Sequence, residues 1–413
     1  LSNCSRSSCQ TSARCRTPTI PQHMGAGAGG QFPAQDPRKP TPTPSPLLKV
    51  RYRLLLFGIL LLLAVGRGMG YERPFPTYLA LGGIFPINSN EGRRTPMVVI
   101  DHESGERASG LWQASLRTAV LKASYTHQPR AVAELKYGGR LTLFAEGSGG
   151  DLYRKGRHLT EKTYTGNGVA ADGAVAFYPN KPWSVGLEVG FSRAVFSRNK
   201  KTATGYQLPP AYSQGLMRME LRRKNLFSQS GFVSLAVESG WRLNWQQWAL
   251  DNTTDRRAFA RYAVQYEDKV VWSEFTNTHW ALFAEGGRNL DLFSGGRVGG
   301  FTGVRSLAGY YRNEFRTQSH VVLNVRQEFW FAKDRMMWVW LDGGQVQLLE
   351  LDYLQEAAGT RQNLLGIAVG FRYDLRSLHG LPVFFNYGHG LLTPKDAVEA
   401  HRREFAVIVA AGF

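Results

Sequence analysis

Hydrolase chemistry needs a nucleophile or an acid held against a histidine. The most prominent of the nine histidines, His389 in Tyr387-Gly-His-Gly390, stands alone in a Gly-rich turn, where a structural role is expected. Gly147-Ser-Gly-Gly150 reads as a loop without nucleotide-binding context. The run Gly25–Gly30 is low complexity, because no strand precedes it and no helix follows, as a phosphate loop requires. Cys4, Cys9 and Cys15 all fall in the first fifteen residues, so the remaining body offers no thiolate, and no metal-ligand spacing appears. The expectation is a protein that is not an enzyme and holds no cofactor and no metal.

The elements that would position any site are strands. The chain finishes on Phe405-Ala-Val-Ile-Val-Ala-Ala-Gly-Phe413. Phe405, Val407, Val409, Ala411 and Phe413 share one broad apolar face, while Ala406, Ile408, Ala410 and Gly412 share a slim one. A frayed apolar terminal strand is an open edge, and a closed barrel in a membrane removes that edge. Short alternating runs recur upstream, bounded by Gly, Asn, Asp and Pro. Among them are Ala131 to Tyr137, Arg140 to Glu146, Ser184 to Phe191 and His320 to Phe331. In Leu323 to Phe331 the residues Leu323, Val325, Gln327, Phe329 and Phe331 oppose Asn324, Arg326 and Glu328, which suits lipid outside and a hydrated interior. Met336 to Asp342 separates its two faces poorly. After Gly70 no apolar stretch approaches the ~18–20 residues of a membrane helix. At ~20 residues per strand with its turn, the body allows about sixteen strands. Ten Trp and seventeen Tyr fit aromatic girdles.

Residues 50–70 form a signal-peptide pattern: Arg51 and Arg53, an apolar core from Leu54 to Val65, then small residues permitting cleavage after Gly66 or Gly70. Residues 1–49 are rich in Ser, Thr, Pro, Gly and Arg and read as disordered or as an over-annotated leader, with the true start at Met24 or Val50. Residues 71–413 are then the barrel. Of the net charge of +18, residues 1–70 hold +8, and the remaining surplus is scattered rather than gathered, which excludes a nucleic-acid patch and suits a lumen or anionic lipid headgroups.

Several motifs resemble the Omp85 superfamily, in its bacterial surface-antigen barrel domain, most clearly from Glu220 to Phe413. Glu220-Leu-Arg-Arg-Lys-Asn-Leu-Phe-Ser-Gln-Ser-Gly231 is similar to one family stretch, with Glu220 for the usual Asp and no Pro. Gly299-Gly300 followed by Val304-Arg305-Ser-Leu307 resembles the loop that folds into the lumen, and Gly309-Tyr310-Tyr311 resembles its continuation. Two registers are open. Val304-Arg305 keeps the arginine, and Leu307-Ala-Gly-Tyr310 keeps the Gly and Tyr; we favour Arg305 as the lumen arginine. The resemblance implies acidic partners for it at Glu328 and Asp342, through charge-assisted bonds. It also implies an outer-membrane barrel of a diderm bacterium, exported by its signal peptide. Its known members insert proteins into that membrane. The residues after Tyr71 look like a barrel start, so the chain resembles a branch without periplasmic POTRA modules, and a separate periplasmic protein is expected to deliver cargo. The implied partners are outer-membrane lipid and unfolded outer-membrane protein or lipid cargo. The implied seam lies between the first and last strands, weakly paired, with Phe405, Val407, Val409 and Phe413 on its movable side. A passive porin and a structural or partner-binding barrel are the alternatives.

Overall fold

The computed structural model describes residues 77–412 apart from 87–94, 107–109, 130, 133, 145–152, 155–156, 181, 244–256, 301–305, 312–313, 350–360, 376–380 and 393–402. Residues 1–76, with the expected leader and signal-peptide segment, and Phe413 lie outside the described residues.

The chain forms β1 (Thr77–Pro86), β2 (Thr95–Glu106), β3 (Gly110–Arg117), β4 (Val120–His127) and β5 (Leu135–Phe144). A small hairpin follows, β6 (Tyr153–Arg154) with β7 (Arg157–His158). Then come β8 (Tyr164–Asn180), β9 (Trp183–Arg198), β10 (Tyr212–Lys224), β11 (Phe232–Arg242), β12 (Ala258–Ser273) and β13 (Thr276–Arg288). The short β14 (Gly296–Val298) precedes β15 (Phe315–Ala332), β16 (Arg335–Leu348), β17 (Arg361–Leu375), β18 (Leu381–Gly390) and β19 (Arg403–Gly412). Without β6, β7 and β14, sixteen strands pair antiparallel with their neighbours, and β19 pairs back onto β1, so the sheet closes as a transmembrane barrel.

Alternation fixes the two faces. Val185, Leu187, Val189 and Phe191 of β9 lie outward and exposed, opposite Met217, Met219 and Leu221 of β10. Glu188 on the same β9 points inward, across from Arg218. The expected faces of Leu323 to Phe331 hold: Leu323 is outward beside Leu282, while Arg326 and Glu328 face the lumen opposite His279 and Asn277. One end of the barrel carries long connections, 145–163, 199–211, 243–257, 289–314 and 349–360; the other carries tight ones such as 181–182, 274–275 and 333–334.

One expectation changes. Ala131 to Tyr137 and Arg140 to Glu146 were expected as separate strands around Gly138-Gly139, yet one strand, β5, runs through both glycines. Gly138 is a contact residue and not a turn: a Cβ there would meet the Tyr125 carbonyl oxygen of β4 at 2.2 Å. The poor two-facedness of Met336 to Asp342 also has a cause. Trp338 and Trp340 point into the lumen, where aromatics replace water as filling; the Trp338 indole donates to Asn386 Oδ1 at 3.0 Å and lies over Gly370.

Candidate functional site

The connection 289–314 enters the barrel from the long-loop end. Gly299, Gly300 and Gly309 turn it with φ of +118°, +92° and +81°, a left-handed region that only glycine enters at little cost. The Leu307 N–H donates to the Gly300 carbonyl at 3.0 Å, and the Gly300 N–H to the Tyr310 carbonyl at 2.9 Å, so the tip closes on itself. Tyr310 is fully buried; its hydroxyl donates to the Leu392 carbonyl at 2.6 Å and accepts the Leu365 N–H at 3.1 Å. Tyr311 stacks on Tyr153 of β6, centroids 5.8 Å apart, which ties the loop to the connection on the opposite side of the lumen.

The wall under this loop is made of glycine. A Cβ on Gly366 would meet the Ala308 carbonyl oxygen at 2.0 Å, and one on Gly309 would meet the Gly390 nitrogen at 2.0 Å. Loop and wall therefore touch backbone to backbone along β17 and β18. Around the contact, Val298, Leu307, Tyr310, Phe315, Val322, Val346 and Leu364 form an apolar core inside the barrel.

Asp342 is 3% exposed and accepts the Ala308 N–H at 2.9 Å; its other oxygen accepts from Asn324 Nδ2 at 2.8 Å, and the same amide reaches the Ser306 carbonyl at 3.0 Å. Glu328 sits 2.8 Å from Arg326 and 3.1 Å from His279 Nε2. Asp342 lies opposite Asn324, four positions along β15 from Glu328, a rise of about 13 Å, so the two carboxylates serve separate clusters. Val304 and Arg305 lie outside the described residues. Leu307-Ala-Gly-Tyr310 is seated on the wall.

The seam is a continuous ladder from Tyr78↔Gly412 to Pro86↔Glu404, which departs from the expected weak pairing. The residue pattern explains the fit. Leu81 faces Val409, Gly83 faces Val407 and Phe85 faces Phe405 on the lipid side, while Ala80 meets Ala410 and Gly82 meets Ile408 on the slim lumen side. A Cβ on Gly82 would meet the Val407 carbonyl at 2.1 Å. Pro86, at the long-loop end, has no N–H to give the ladder.

The remaining lumen differs. From β2 to β13 its wall carries a chain of ion pairs: Arg117–Asp101 at 3.4 Å, Arg140–Asp172 at 3.0 Å, Arg140–Glu188 at 2.7 Å, Arg261–Glu238 at 2.8 Å and Arg261–Glu285 at 3.6 Å. A cavity opens onto Lys122, Arg140, Asp172, Glu188, Arg218 and Glu238.

Above it sits a cap that sequence reading missed. Arg242 and Asp291, 1% and 2% exposed, pair at 2.9 Å. Arg242 also donates to the Asn289 carbonyl and to Ser294 Oγ, and lies 4.7 Å over the Phe259 ring. Asp291 accepts from the Phe293 and Ser294 amides. Leu290 and Leu292 pack with Tyr164, Tyr206 and Leu349. Burial pushes the Tyr206 hydroxyl well above the usual phenol range. Asp291-Leu-Phe-Ser294 has turn chemistry legible in sequence; its arginine partner on a distant strand leaves no such mark.

Among the described residues, no cluster of His, Cys, Asp or Glu could hold a metal ion, and no helix is long and apolar enough to cross a membrane. No protein-family model matches the chain, and no curated protein matches it. Solved structures do. BamA from Haemophilus ducreyi lacking POTRA domains 1–3 matches at TM-score 0.53 and 12% identity, over 82% of this chain and 71% of that one. CdiB from Acinetobacter baumannii matches at TM-score 0.53 and 13% identity, over 81% of this chain and 60% of that one. CdiB from Escherichia coli matches at TM-score 0.53 and 12% identity, over 83% and 64%. The chain thus spans less than two thirds of either CdiB, and at these identities it shares with all three the barrel fold.

Proposed function

We propose that this chain is an Omp85-type barrel of a bacterial outer membrane that assists insertion or passage of protein or lipid through the β1–β19 seam. The observation that carries the reading is the in-folded loop, whose Leu307–Tyr310 tip is seated on the wall by Gly366, Gly390 and Asp342. The loop packs backbone to backbone against one wall instead of leaving that part of the lumen open. The loop braces β16 to β18, and β18 is the neighbour of β19. With that side held, the movable partner is β1 and not, as expected from the sequence, the last strand with Phe405, Val407, Val409 and Phe413; Gly82, Gly83 and Pro86 of β1 are poor strand formers. A β1 freed from its long-loop end would leave the β19 edge open to an incoming strand, which would add to it by β-augmentation. A separate periplasmic protein is the proposed source of that cargo.

The test is a covalent seam. Leu81 and Val409 are direct partners on the outer face, and the body contains no cysteine to interfere. Leu81→Cys with Val409→Cys, oxidised in cells, is expected to abolish complementation of a deletion strain, and reduction is expected to restore it. Full complementation by the locked protein sinks the proposal. The charged cavity favours a second reading, a passive pore. Single-channel recording separates the two: a large steady conductance belongs to a pore, and small flickering currents to a plugged barrel.

A further inference from the structure

Two arginines on the outer face stand at the same end of the barrel, in the same arrangement. Arg223 of β10 is the direct cross-strand partner of Trp183 of β9, beside the tight connection 181–182, and its guanidinium lies 5.3 Å from the centre of the indole. Arg335 of β16, beside the tight connection 333–334, is the direct partner of Tyr373 of β17, at 5.4 Å. Both share the lipid-facing side of their strands, Arg223 with Met219 and Leu221, Arg335 with Val339 and Leu341. Among the described residues neither has an ion pair or a side-chain hydrogen bond, and Arg223 Nε is buried without an acceptor.

The carboxylates nearby are already engaged. Asp268, beside the connection after β10, accepts from Ser228, Ser230, Tyr266 and the Lys269 amide. Asp374, next to Tyr373, is held by Arg372 at 2.8 and 3.0 Å. A guanidinium stacked by its face keeps its N–H donors at the edge. On the outside of a membrane barrel, an unmatched cation beside a ring belongs at headgroup depth, where the available counter-charge is a lipid phosphate. Exposed Phe227, Trp272, Phe275 and Phe331 mark the same depth at the short-turn end.

We infer that Arg223 with Trp183 and Arg335 with Tyr373 are two binding positions for the phosphate of anionic phospholipid in the leaflet at the short-turn end. The guanidinium edge takes the phosphate oxygens and the ring lies along the glycerol and upper acyl chain.

The test is native mass spectrometry of the full chain, folded in neutral detergent with equimolar phosphatidylglycerol and phosphatidylcholine. Wild type is expected to retain the anionic lipid preferentially, by about fivefold per site. Arg223→Gln and Arg335→Gln are each expected to lose one retained lipid, and the double variant to fall to parity. Arg140→Gln, in the lumen, is expected to keep the preference. Heat-modifiable gel mobility reports whether each variant is folded. Parity in the wild type overturns the inference without any variant. So does an undiminished preference in a folded single or double variant, or its loss in Arg140→Gln.

Discussion

The two halves of the lumen solve opposite problems. The wall from β2 to β13 keeps water. Arg140 sits inside the barrel, yet its side chain is 42% exposed, and each of its acids lies on the next strand or the one after. Toward the long-loop end, the wall from β15 to β18 excludes water, with Val322 and Val346 fully buried and Asp342 at 3%. Charges suffice where solvent screens them; where a loop must seat, glycines at Gly366 and Gly390 let backbone meet backbone and one carboxylate orients the tip. Pairing in the open half is therefore tolerant of change, and packing in the filled half is not.

The largest effect is expected at the cap that joins the halves. Arg242→Met strands the Asp291 carboxylate in a dry site and should cost about 3–5 kcal/mol, because an uncompensated buried charge remains. Arg242→Met with Asp291→Leu should recover much of that loss, since no charge is left buried. The temperature at which the folded band converts on heat-modifiable gels measures both. If the single and double variants convert together, the pair is not what secures the loop root. Next is Gly366→Val, whose branched side chain has no room beneath Ala308. Overpacking should cost about 1–3 kcal/mol and unseat the loop, read as new protease cleavage between Ser306 and Tyr311. An unchanged digest would mean that the wall does not hold the tip.

These expectations also mark what the sequence could reveal. Leu323 to Phe331 was legible because one face meets lipid and the other meets charge, so period two survives in residue type. Met336 to Asp342 was not, because Trp338 and Trp340 fill the lumen as lipid-facing residues fill the bilayer, and both faces look apolar. Gly138 stood at the boundary between two runs and proved to be close strand contact, whereas Gly366 and Gly390 give room to the loop backbone. The resemblance placed Gly309 and Tyr310 in a lumen loop, and in the structure Gly309 takes a left-handed φ and Tyr310 is buried. The Arg242–Asp291 pair was not legible, because its partners are far apart in sequence and meet only when the connection after β13 folds back over the end of β11.

A smaller effect is expected at Asp342→Asn. The amide keeps one acceptor for Ala308, without the charge that strengthens that bond, and sets an NH2 donor against the Asn324 Nδ2 donor, so that second bond is lost. A loss of about 1–2 kcal/mol follows, smaller than for Gly366→Val because no atom is displaced. Conversion temperature measures it, and a shift as large as that of Arg242→Met would mean that Asp342 holds more than the loop tip.

Arg140→Gln should disturb stability least, by under about 1 kcal/mol, because both its ion pairs are open to solvent. Its effect should appear elsewhere. Removing that cation leaves Asp172 and Glu188 to face the cavity without their shared partner, so residual current through the barrel should shift toward cations. The reversal potential under a salt gradient measures that shift. The Asp342→Asn variant, with its charge sealed under the loop, should leave the reversal potential where it was. A shift in both variants would mean that water reaches the filled half as readily as the open one, and the division of the lumen would fail.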